Sequence, residues 1–541
     1  MKTNQNTDNI ADNIYNISKN LDTDTIVSDI PDKSDIVLLG ECTHGTNEFY
    51  QIRSNITKNL IKCRGFRVIM LEAEWPDIYR VNAYILGKGT DKNAKESLAS
   101  IDKFPKWMWR NNVVIELIEW LKMHNENNNE KVLILGIDCQ QIYKSYIQLL
   151  YFIKTIDRPY YMYIVRLLSF FKQFKNESDY SQAIVDGRLK KHIDTIPEIL
   201  QDLLSNYQWE KVEQYLKSCG NKNIDPLDII SSEQNIEILV NAEEYFRKMI
   251  LEPPGSQASW NTRDQHMLMT IMRIRNRFNQ IDNTENPPKI IVWAHNSHIG
   301  NSDATNRGGK DFSQNNTWNL GQMVSETFPN HYLIGFYTGI GTVTANSHNN
   351  DIVCKQYTLN KPCIYSYEWF FNRVAEKNNI NSFYIDFSKH KSSDIKRLSL
   401  ESINSQELNI GYTTLFSGNK ITKNKEIDSE IISKSIEEGF TFIPKSRIVS
   451  KEGITRLELH EGGWITEYIP NASTELYCRP VNAPYPENPS DFFNSNLMQR
   501  WIGITYCKDT EIQSHYGNSN IAKQYNMIVY VDKSTGISSI D

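Results

Sequence analysis

Four apolar stretches of this chain each lead into an ionisable side chain. They are Val37–Gly40 before Glu41, Val68–Leu71 before Glu72, Val132–Leu135 towards Asp138, and Ile290–Trp293 towards His295. Continuous apolar runs of this length are typical of strands buried on both faces of a parallel sheet. Because ligands of such sheets bind outside the carboxyl ends of the strands, we expect the four groups to meet in one cleft, and we predict a catalytic site there.

Helical periodicity separates the predicted strands. After a strand at about 35–40, a helix that carries Arg53 begins near Asn47. A second strand covers Arg67 to Glu72, helical spacing returns at 110–125, and a third strand covers 132–137. This alternation is typical of parallel strands joined by right-handed crossovers. The predicted fold class is therefore α/β, with a mainly parallel central sheet flanked by helices.

The rest of the chain divides by its pattern. Residues 141–280 have helical periodicity and little strand signal, so we interpret them as a helical insertion that caps the carboxyl edge of the sheet. Further strands are predicted at 290–294, 332–337, 383–387, 502–506 and 527–531, with a few antiparallel strands near 441–443 and 454–459. The predicted division is a polar N-terminal segment (1–30), a first core part (31–140), the helical cap (141–280), a second core part (281–390), an insertion (391–490) and C-terminal strands that complete the core (491–541).

Composition narrows the class of protein. The 541 residues are 40% hydrophobic and 23% charged, with a formal net charge of -6, which is typical of a globular protein and gives no reason to expect a nucleic acid or an anionic membrane as a partner. No apolar run is long enough to span a bilayer, and the polar first residues lack the apolar core of an export signal, so we expect a cytoplasmic protein. The eight cysteines form no CxxC pair, so neither a disulfide framework nor a cysteine zinc site is expected.

The first candidate for catalysis is the pair Glu41 and His44 on the loop after the first strand. A carboxylate can hold an imidazole in one tautomer while the other ring nitrogen takes a proton, which suits general base catalysis. The alternative is structural, with the glutamate capping a backbone amide and the histidine packed under the loop. The spacing alone leaves both interpretations open.

Two further carboxylates follow the second strand. Glu72 and Glu74 point to one face of an extended segment because strand side chains alternate with a period of two. Such a pair is costly unless cations or water accompany it, and Arg53 and Arg263 are the expected partners. We assign Glu72 to the site, whereas Glu74 fits a scaffold ion pair equally well.

His295 and His298 lie three residues apart at the fourth strand end. Both imidazoles can face one ligand, as donors to an oxyanion, as a proton source for a leaving group or as metal ligands. Asp138 could orient a histidine or pair with an arginine, and Asp264 completes the charged set. Trp75 and Trp109 are residue types that line apolar pockets as well as cores. Cys42, between Glu41 and His44, is a possible nucleophile.

The residues at these strand ends resemble the erythromycin esterase family. The resemblance rests on Gly40–Glu48 with Arg53, Leu71–Trp75, Trp260–His266 and Val292–His298, in that order, and on Phe104–Arg110, Asn319–Gln322, Gly341–Ala345 and Gln513–Tyr516. It covers about 30–390 and 490–541. Cys42 stands where the family usually has a hydrophobic or small residue, so the resemblance does not imply a nucleophilic thiol.

The resemblance implies a hydrolase that cleaves an ester or opens a lactone, with a small-molecule ester as its partner and macrolide resistance as one outcome. His44 would activate water, Glu41 would orient His44, and His295, His298 or Arg263 would stabilise the oxyanion. The residues predicted to be catalytic are His44, Glu41, Glu72, His295 and His298. The residues predicted to bind substrate are Arg53, Arg263, Glu74, Asp138, Trp75 and Trp109.

Two alternatives stay open at this point. The cluster of Glu41, His44, Glu72, His295 and His298 could instead hold one divalent ion, zinc or manganese, in a metal-dependent hydrolase. The chain could also be a binding protein that keeps the cleft without catalysis. The prediction favoured here is a site without a cofactor, because Arg53 and Arg263 could neutralise the carboxylates. The sequence does not indicate an oligomeric state.

Overall fold

The structure is a computed structural model of the chain. It describes residues 2–103, 105–156, 158–189, 195–206, 225–253, 256–282, 286–307, 310–311, 317–347, 354–363, 366–389, 493 and 496–540, together with short strands between 412 and 480 whose bounds are given below.

The described residues form strands with the following bounds: β1 (Lys19–Asn20), β2 (Ile36–Leu39), β3 (Phe66–Glu74), β4 (Leu133–Asp138), β5 (Lys289–Trp293), β6 (Thr305–Arg307), β7 (Lys310–Asp311), β8 (His331–Asn346), β9 (Cys354–Thr358), β10 (Ser382–Asp386), β11 (Tyr412–Thr414), β12 (Asn419–Thr422), β13 (Ile431–Ile436), β14 (Thr441–Phe442), β15 (Pro444–Val449), β16 (Thr455–Leu459), β17 (Trp464–Tyr468), β18 (Cys478–Pro480), β19 (Leu497–Arg500), β20 (Tyr516–Ser519) and β21 (Met527–Ser534).

The α-helices are α1 (Lys2–Ile17), α2 (Thr23–Asp29), α3 (Asn47–Arg64), α4 (Trp75–Ile85), α5 (Ala94–Ser97), α6 (Asn112–Asn127), α7 (Ile142–Ile156), α8 (Arg158–Leu167), α9 (Glu177–Val185), α10 (Thr195–Asn206), α11 (Pro226–Leu251), α12 (Ala258–Asp282), α13 (Asn296–Ile299), α14 (Leu320–Thr327), α15 (Tyr367–Asn378), α16 (Glu511–His515) and α17 (Ile521–Gln524). Short 3₁₀ helices cover Leu98–Ser100, Lys106–Met108, Ser169–Gln173, Ser302–Ala304 and Phe387–Lys389. No helix within the described residues is long and apolar enough to cross a bilayer.

A central sheet organises the molecule in the strand order β1-β10-β21-β8-β2-β5-β3-β4, with β9 paired to β8. The pairs from β4 through β21 along this order are parallel, and β10 and β1 extend the sheet in antiparallel pairs. All four residues of β2 are buried, as expected of a strand with both faces covered by helices. The predicted α/β class and mainly parallel sheet are therefore confirmed.

The parallel order explains why the polar strand ends meet. β2, β5, β3 and β4 are neighbours in the sheet and run in one direction, so Glu41, His295, Glu72 and Asp138 emerge at the same edge. β3 continues two residues further than predicted, to Glu74, with a register shift between Leu71 and Glu74 against β4. Such an irregularity re-aims side chains next to a site.

Within 141–280 the described secondary-structure elements are all helices, from α7 to α12, joined by turns and short loops. Trp260 and Arg263, on the first turns of α12, face the cavity beside the strand ends. The start of α12 therefore lies at this edge of the sheet, and the extent of the cap over 141–280 stays a prediction. In the interval 391–490 the described strands form two antiparallel sheets, β14-β11-β18 and β13-β12-β17-β16-β15, and the rest of that interval lies outside the described residues.

The N-terminal segment is more than a polar extension. Ile10 and Ile14 of α1 are buried, Asp8 and Asp12 pair with Arg373 and Lys377 of α15, and β1 is an edge strand of the central sheet. Amphipathic spacing of a few isoleucines among many polar residues is sufficient for this packing.

The prediction of a strand at 502–506 is wrong. Ile502 bridges to Thr43, whereas Thr505 bridges to Asn346, and each is an isolated bridge. Because successive residues of this segment pair with two different parts of the chain, no continuous ladder forms. The strand predicted at 527–531 is confirmed as part of β21, inside the central sheet.

Candidate active site

A cavity of about 480 Å³ opens at the carboxyl ends of β2 to β5. Its lining includes the strand-end loops with His44, Glu72 and His298, the first turns of α12, the region of Lys103 to Trp109, and the C-terminal segments around Trp501–Thr505 and His515. Its size lies in the range of small-molecule sites. Of the four strand-end groups predicted to meet in one cleft, Glu72, Asp138 and His295 line this cavity, whereas Glu41 does not line it and contacts the lining residue His44.

Glu41 holds His44 in a defined orientation. The Nδ1–H of His44 donates to Oε1 of Glu41 at 3.0 Å, and Nη2 of Arg53 donates to Oε2 of Glu41 at 2.5 Å. Tyr50 also donates its hydroxyl to the backbone oxygen of His44. Since Nδ1 is engaged, Nε2 is the nitrogen left for a water or a substrate in the cavity that His44 lines.

Arg53 supports this pair from behind. Its side chain is fully buried and its guanidinium lies 4.7 Å from the ring centres of both Tyr50 and Trp293. It does not line the cavity. Arg53, expected to bind substrate and to pair with Glu72 or Glu74, is therefore found holding Glu41, because α3 packs behind the loop that carries Glu41 and His44.

A second carboxylate and histidine pair lies across the cavity. Nδ1 of His298 contacts Oδ1 of Asp264 at 2.8 Å, and Nε2 lies 3.2 Å from Oε1 of Glu72. Burial favours the neutral ring, but the charges of Asp264 and Glu72 outweigh it and raise the pKa of His298 to about 9. Trp260 stacks on the ring at 4.4 Å and 5°, where a cation is favoured. These partners favour the imidazolium form of His298, against the nearby charge of Arg263, whose Nη1 lies 3.0 Å from Nε2 of His298.

Arg263 and Glu72 join the strand ends to the cap. Nη2 of Arg263 donates to Oε1 of Glu72 at 2.9 Å and to Oδ2 of Asp138 at 2.7 Å, and its Nε donates to Oδ1 of Asp138 at 3.0 Å. The other oxygen of Glu72 accepts from the backbone N–H of His295 at 2.8 Å. Burial opposes ionisation of Glu72, yet His298, Arg263 and His44 hold its pKa well below the usual range. Asp138 is thus an arginine partner, one of its two predicted roles.

His295 differs from His298 although the two lie on the same short turn. Its Nε2 lies 3.2 Å from the backbone oxygen of Cys42, and its Nδ1 accepts from the backbone N–H of Ser297 and lies 2.8 Å from the hydroxyl of that residue. Burial and then the neighbouring His44, whose ring centre is 4.7 Å away, lower the pKa of His295 well below its usual value. His295 is therefore neutral, with both nitrogens engaged by the protein.

Glu74 also lines the cavity and has partners other than Arg53 and Arg263. Its Oε2 accepts from the backbone N–H of Gln140 at 3.0 Å, and Lys103 approaches Oε1 at 3.7 Å. Burial raises the pKa of Glu74 to about 8, with Lys103 opposing and Asp138 adding to the rise. Burial therefore favours the protonated form of Glu74, which can donate a hydrogen bond.

The other candidates divide between cavity and core. Trp109 lines the cavity, whereas Trp75, expected to bind substrate, is fully buried, stacks on Tyr79 and donates to Ser231. Cys42 is fully buried away from the cavity, and burial raises the pKa of its thiol, so it is not set up as a nucleophile.

Sequence reasoning left three parts of the site without a role. Asp264 had been named only as part of the charged set, although its place one residue after Arg263 in the family pattern was a usable signal. Trp260 was a matched residue with no assigned contact. The segment Trp501–Thr505 was predicted only as part of a strand, and its place in the cavity was not predictable, because it depends on pairing with a loop more than 450 residues earlier.

The side chains proposed as metal ligands are paired within the protein. Glu41 accepts from Arg53, Glu72 accepts from Arg263, and the nitrogens of His295 face Cys42 and Ser297. Across the part of the chain that the structure describes, no group of three or more His, Cys, Asp or Glu side chains is arranged to hold a metal ion. The donor set does not fit a divalent ion in this geometry.

Comparisons with known proteins agree with this architecture. A sequence model of the family described as erythromycin esterase matches residues 61–440. The putative hydrolase YbfO of Bacillus subtilis (strain 168) is 24% identical over 328 residues, which cover 59% of this chain and 68% of that protein. Erythromycin esterase type II of Escherichia coli is 23% identical over 277 residues, which cover 49% of this chain and 60% of that protein.

Solved structures share the fold across nearly the whole chain. A crystal structure of a Bacillus cereus protein has a TM-score of 0.62 at 16% identity and covers 99% of both chains. A mutant of the erythromycin esterase EreC in its open conformation has a TM-score of 0.54 at 14% identity, over 96% of this chain and 95% of that one. At these identities the likeness concerns the fold alone.

Proposed function

The chain belongs to the erythromycin esterase family, and from this and the geometry of the cavity we propose that it is a hydrolase that cleaves carboxylic esters with a water activated by His44. The observation that carries the proposal is the contact between Glu41 and Nδ1 of His44 at 3.0 Å, in a side chain that lines the cavity. This contact fixes the tautomer whose Nε2 can accept a proton.

The proposed reaction begins when Nε2 of His44 takes a proton from water as the water oxygen attacks the ester carbonyl. The carbonyl oxygen gains negative charge in this step, and the positive charge of Arg263 and His298, which also line the cavity, would stabilise it electrostatically, because both nitrogens of His298 are already engaged by Asp264, Glu72 and Arg263. The bond between the carbonyl carbon and the alcohol oxygen then breaks. The alcohol leaves with a proton from the imidazolium of His44 or His298, and the acid remains.

The different carboxylate partners of His44 and His298 support these roles. A base must be neutral to accept a proton, whereas an oxyanion donor is strongest as a cation. Asp264 and Glu72 raise the pKa of His298 to about 9, which keeps that side charged at neutral pH. His295 has a supporting role in this scheme, because its neutral ring joins the Cys42 carbonyl to the turn at Ser297.

For the substrate we propose an ester or a lactone with a sizeable apolar part. The cavity combines ionisable groups with the apolar walls Trp109, Trp260 and Trp501, so one end can bind the ester and another can bury hydrocarbon. A macrolide lactone, and with it macrolide resistance, is a specific form of this proposal. It is suggested by the name of the Escherichia coli relative.

A panel of esters and lactones tests the proposal with the purified full chain, before and after exhaustive treatment with a chelator. We expect hydrolysis of at least one class, at the same rate after chelation. Loss of activity on chelation, with recovery on adding zinc or manganese, would favour the metal-dependent alternative. Saturable binding without turnover across the panel would favour a binding protein.

A further inference from the structure

We propose that Gly503 determines which substrates reach His44, because the absence of a side chain at this position keeps open the space beside the imidazole. The inference rests on the proposed function and adds to it a residue that selects substrates by size. Gly503 lines the cavity on the segment Trp501–Thr505.

The backbone does not require glycine at position 503. Its φ is not in the left-handed region, where Gly65, Gly87, Gly187 and Gly341 lie. A Cβ added at Gly503 would meet a single heavy-atom neighbour within 4 Å, Cδ2 of His44 at 4.0 Å. Neither conformational strain nor close packing therefore explains the glycine.

Other glycines of the site region are different. A Cβ at Gly45 would come within 1.8 Å of a backbone oxygen, that of Thr344. A Cβ at Gly136 would come within 2.4 Å of a backbone oxygen, that of Ala73. Those glycines are fixed by close approach of the chain. At Gly503 the space that a side chain would take is cavity, and it borders the ring of His44.

The position of Gly503 is fixed on both sides. The N–H of Ile502 donates to Cys42 at 2.7 Å, and the oxygen of Ile502 accepts from the N–H of His44 at 3.1 Å. On the other side the oxygen of Ile504 accepts from the N–H of Asn346 at 2.9 Å. The segment cannot move to make room for a side chain at 503 without breaking these backbone hydrogen bonds.

The atom that a side chain would crowd is next to the reactive one. Cδ2 of His44 is bonded to Nε2, the nitrogen assigned to activate water, because Nδ1 is held by Glu41. A group larger than methyl at 503 would therefore extend into the volume in which water and the ester carbonyl must meet. Ile504, 38% exposed, and Trp501 flank the gap, so the part of the substrate that passes Gly503 should be bulky and apolar.

The test compares Gly503→Ala and Gly503→Leu with a matched control, Gly89→Leu. Gly89 is exposed outside the cavity, and a Cβ there would make an ordinary contact of 3.5 Å. Each variant is assayed with two p-nitrophenyl esters, one with an acetyl group and one with a bulky cyclic acyl group. We expect Gly503→Leu to lower kcat/KM for the bulky ester at least tenfold more than for the acetate. Gly503→Ala should have a smaller effect of the same sign, and Gly89→Leu should leave the ratio of the two esters unchanged.

A second readout does not depend on turnover. Diethyl pyrocarbonate modifies imidazole nitrogens, and mass spectrometry gives the rate at each histidine. We expect Gly503→Leu to slow modification of His44 at least fivefold and to leave His124, which lies outside the cavity, at the wild-type rate. Wild-type modification of His44 in this variant, or equal loss of both esters, overturns the inference. If the wild-type protein cleaves no ester while His44 modification is slowed, the proposed function fails and the control of access by Gly503 stands.

Discussion

Two histidines of the cavity, His295 and His298, have different electrostatic settings because their neighbours differ. His298 faces Asp264 and Glu72, so its pKa rises, whereas His295 faces a carbonyl, a hydroxyl and another histidine, so its pKa falls. The two rings are three residues apart on one short turn, and both matched the same sequence motif. Spacing alone predicted that they face one site, but it could not separate their roles, since charge at a ring is decided by groups from distant elements.

At the scale of residues, the least predictable feature was which cationic side chain pairs with which carboxylate. Arg53 was expected beside Glu72 or Glu74 and instead holds Glu41, while the approaching cation at Glu74 is Lys103. A sequence identifies which charges must be paired, but the choice of partner depends on how α3 and the loop that carries Lys103 pack against the strand ends. The pair of Glu41 and His44 was predictable because both members lie on one short loop.

Replacing Asp264 with asparagine tests the charge of His298. The amide cannot stabilise an imidazolium as a carboxylate does, so the pKa of His298, now about 9, should fall. If the imidazolium stabilises the oxyanion, the alkaline limb of the pH profile of kcat/KM should move to lower pH, and kcat/KM should drop by about 10²-fold or more, the scale of losing one oxyanion donor. An unchanged alkaline limb would remove His298 from that step.

Cys42→Ala separates a buried thiol from a nucleophile. The thiol is fully enclosed and its pKa is raised by burial, so we expect kcat/KM within a few-fold of wild type, together with some loss of stability from the small cavity left behind. Esterase assays and thermal unfolding of the same sample give both values. Abolished turnover in a protein of normal stability would assign covalent catalysis to Cys42.

At the scale of elements, apolar runs were the most reliable guide. The strands at 36–39, 66–74, 133–138 and 289–293 were predictable because strands buried on both faces must be continuously apolar. The segment 502–506 is also apolar in part, yet it forms only isolated bridges, since its partners lie in two separate elements. The hydrophobic pattern of a segment does not indicate which distant parts of the chain it will pair with.

The N-terminal helix gives a test of packing at this scale. Ile14 is fully buried in the main core, whereas its neighbour Tyr15 is 40% exposed. Ile14→Ala should lower the free energy of unfolding by about 2–5 kcal/mol, the usual range for such a core truncation, and Tyr15→Ala by about 0.5 kcal/mol or less. Chemical denaturation measures both. Equal, small effects would mean that α1 does not pack on the core.

For the whole molecule, the site groups predict how stability depends on pH. In the folded protein the pKa of His298 is about 9, against an ordinary value of 6.5. Its contribution to the free energy of unfolding is therefore complete below about pH 6.5 and is lost as the pH rises through 9. In the folded protein the pKa of Glu74 is about 8, against an ordinary value of 4.5. The free energy of unfolding is therefore highest when Glu74 is protonated, and this contribution is lost as the pH rises from 4.5 to 8.

Denaturation at several pH values should separate the two groups. We expect His298→Gln to flatten the fall of the free energy of unfolding between pH 6.5 and 9, and Glu74→Gln to flatten it between 4.5 and 8. Parallel curves for wild type and either variant would mean that the charge of that group is not coupled to folding.

The account as a whole depends on His44 as the base that activates water. The most direct measurement is kcat/KM of His44→Ala on the best ester of the panel, in chelator-treated protein whose unfolding matches wild type. We predict a fall of about 10²- to 10⁴-fold, because proton transfer to a positioned base is worth that much, with partial recovery when imidazole is added to the buffer. A rate within a few-fold of wild type would contradict the assignment of His44 and, with it, the proposed mechanism.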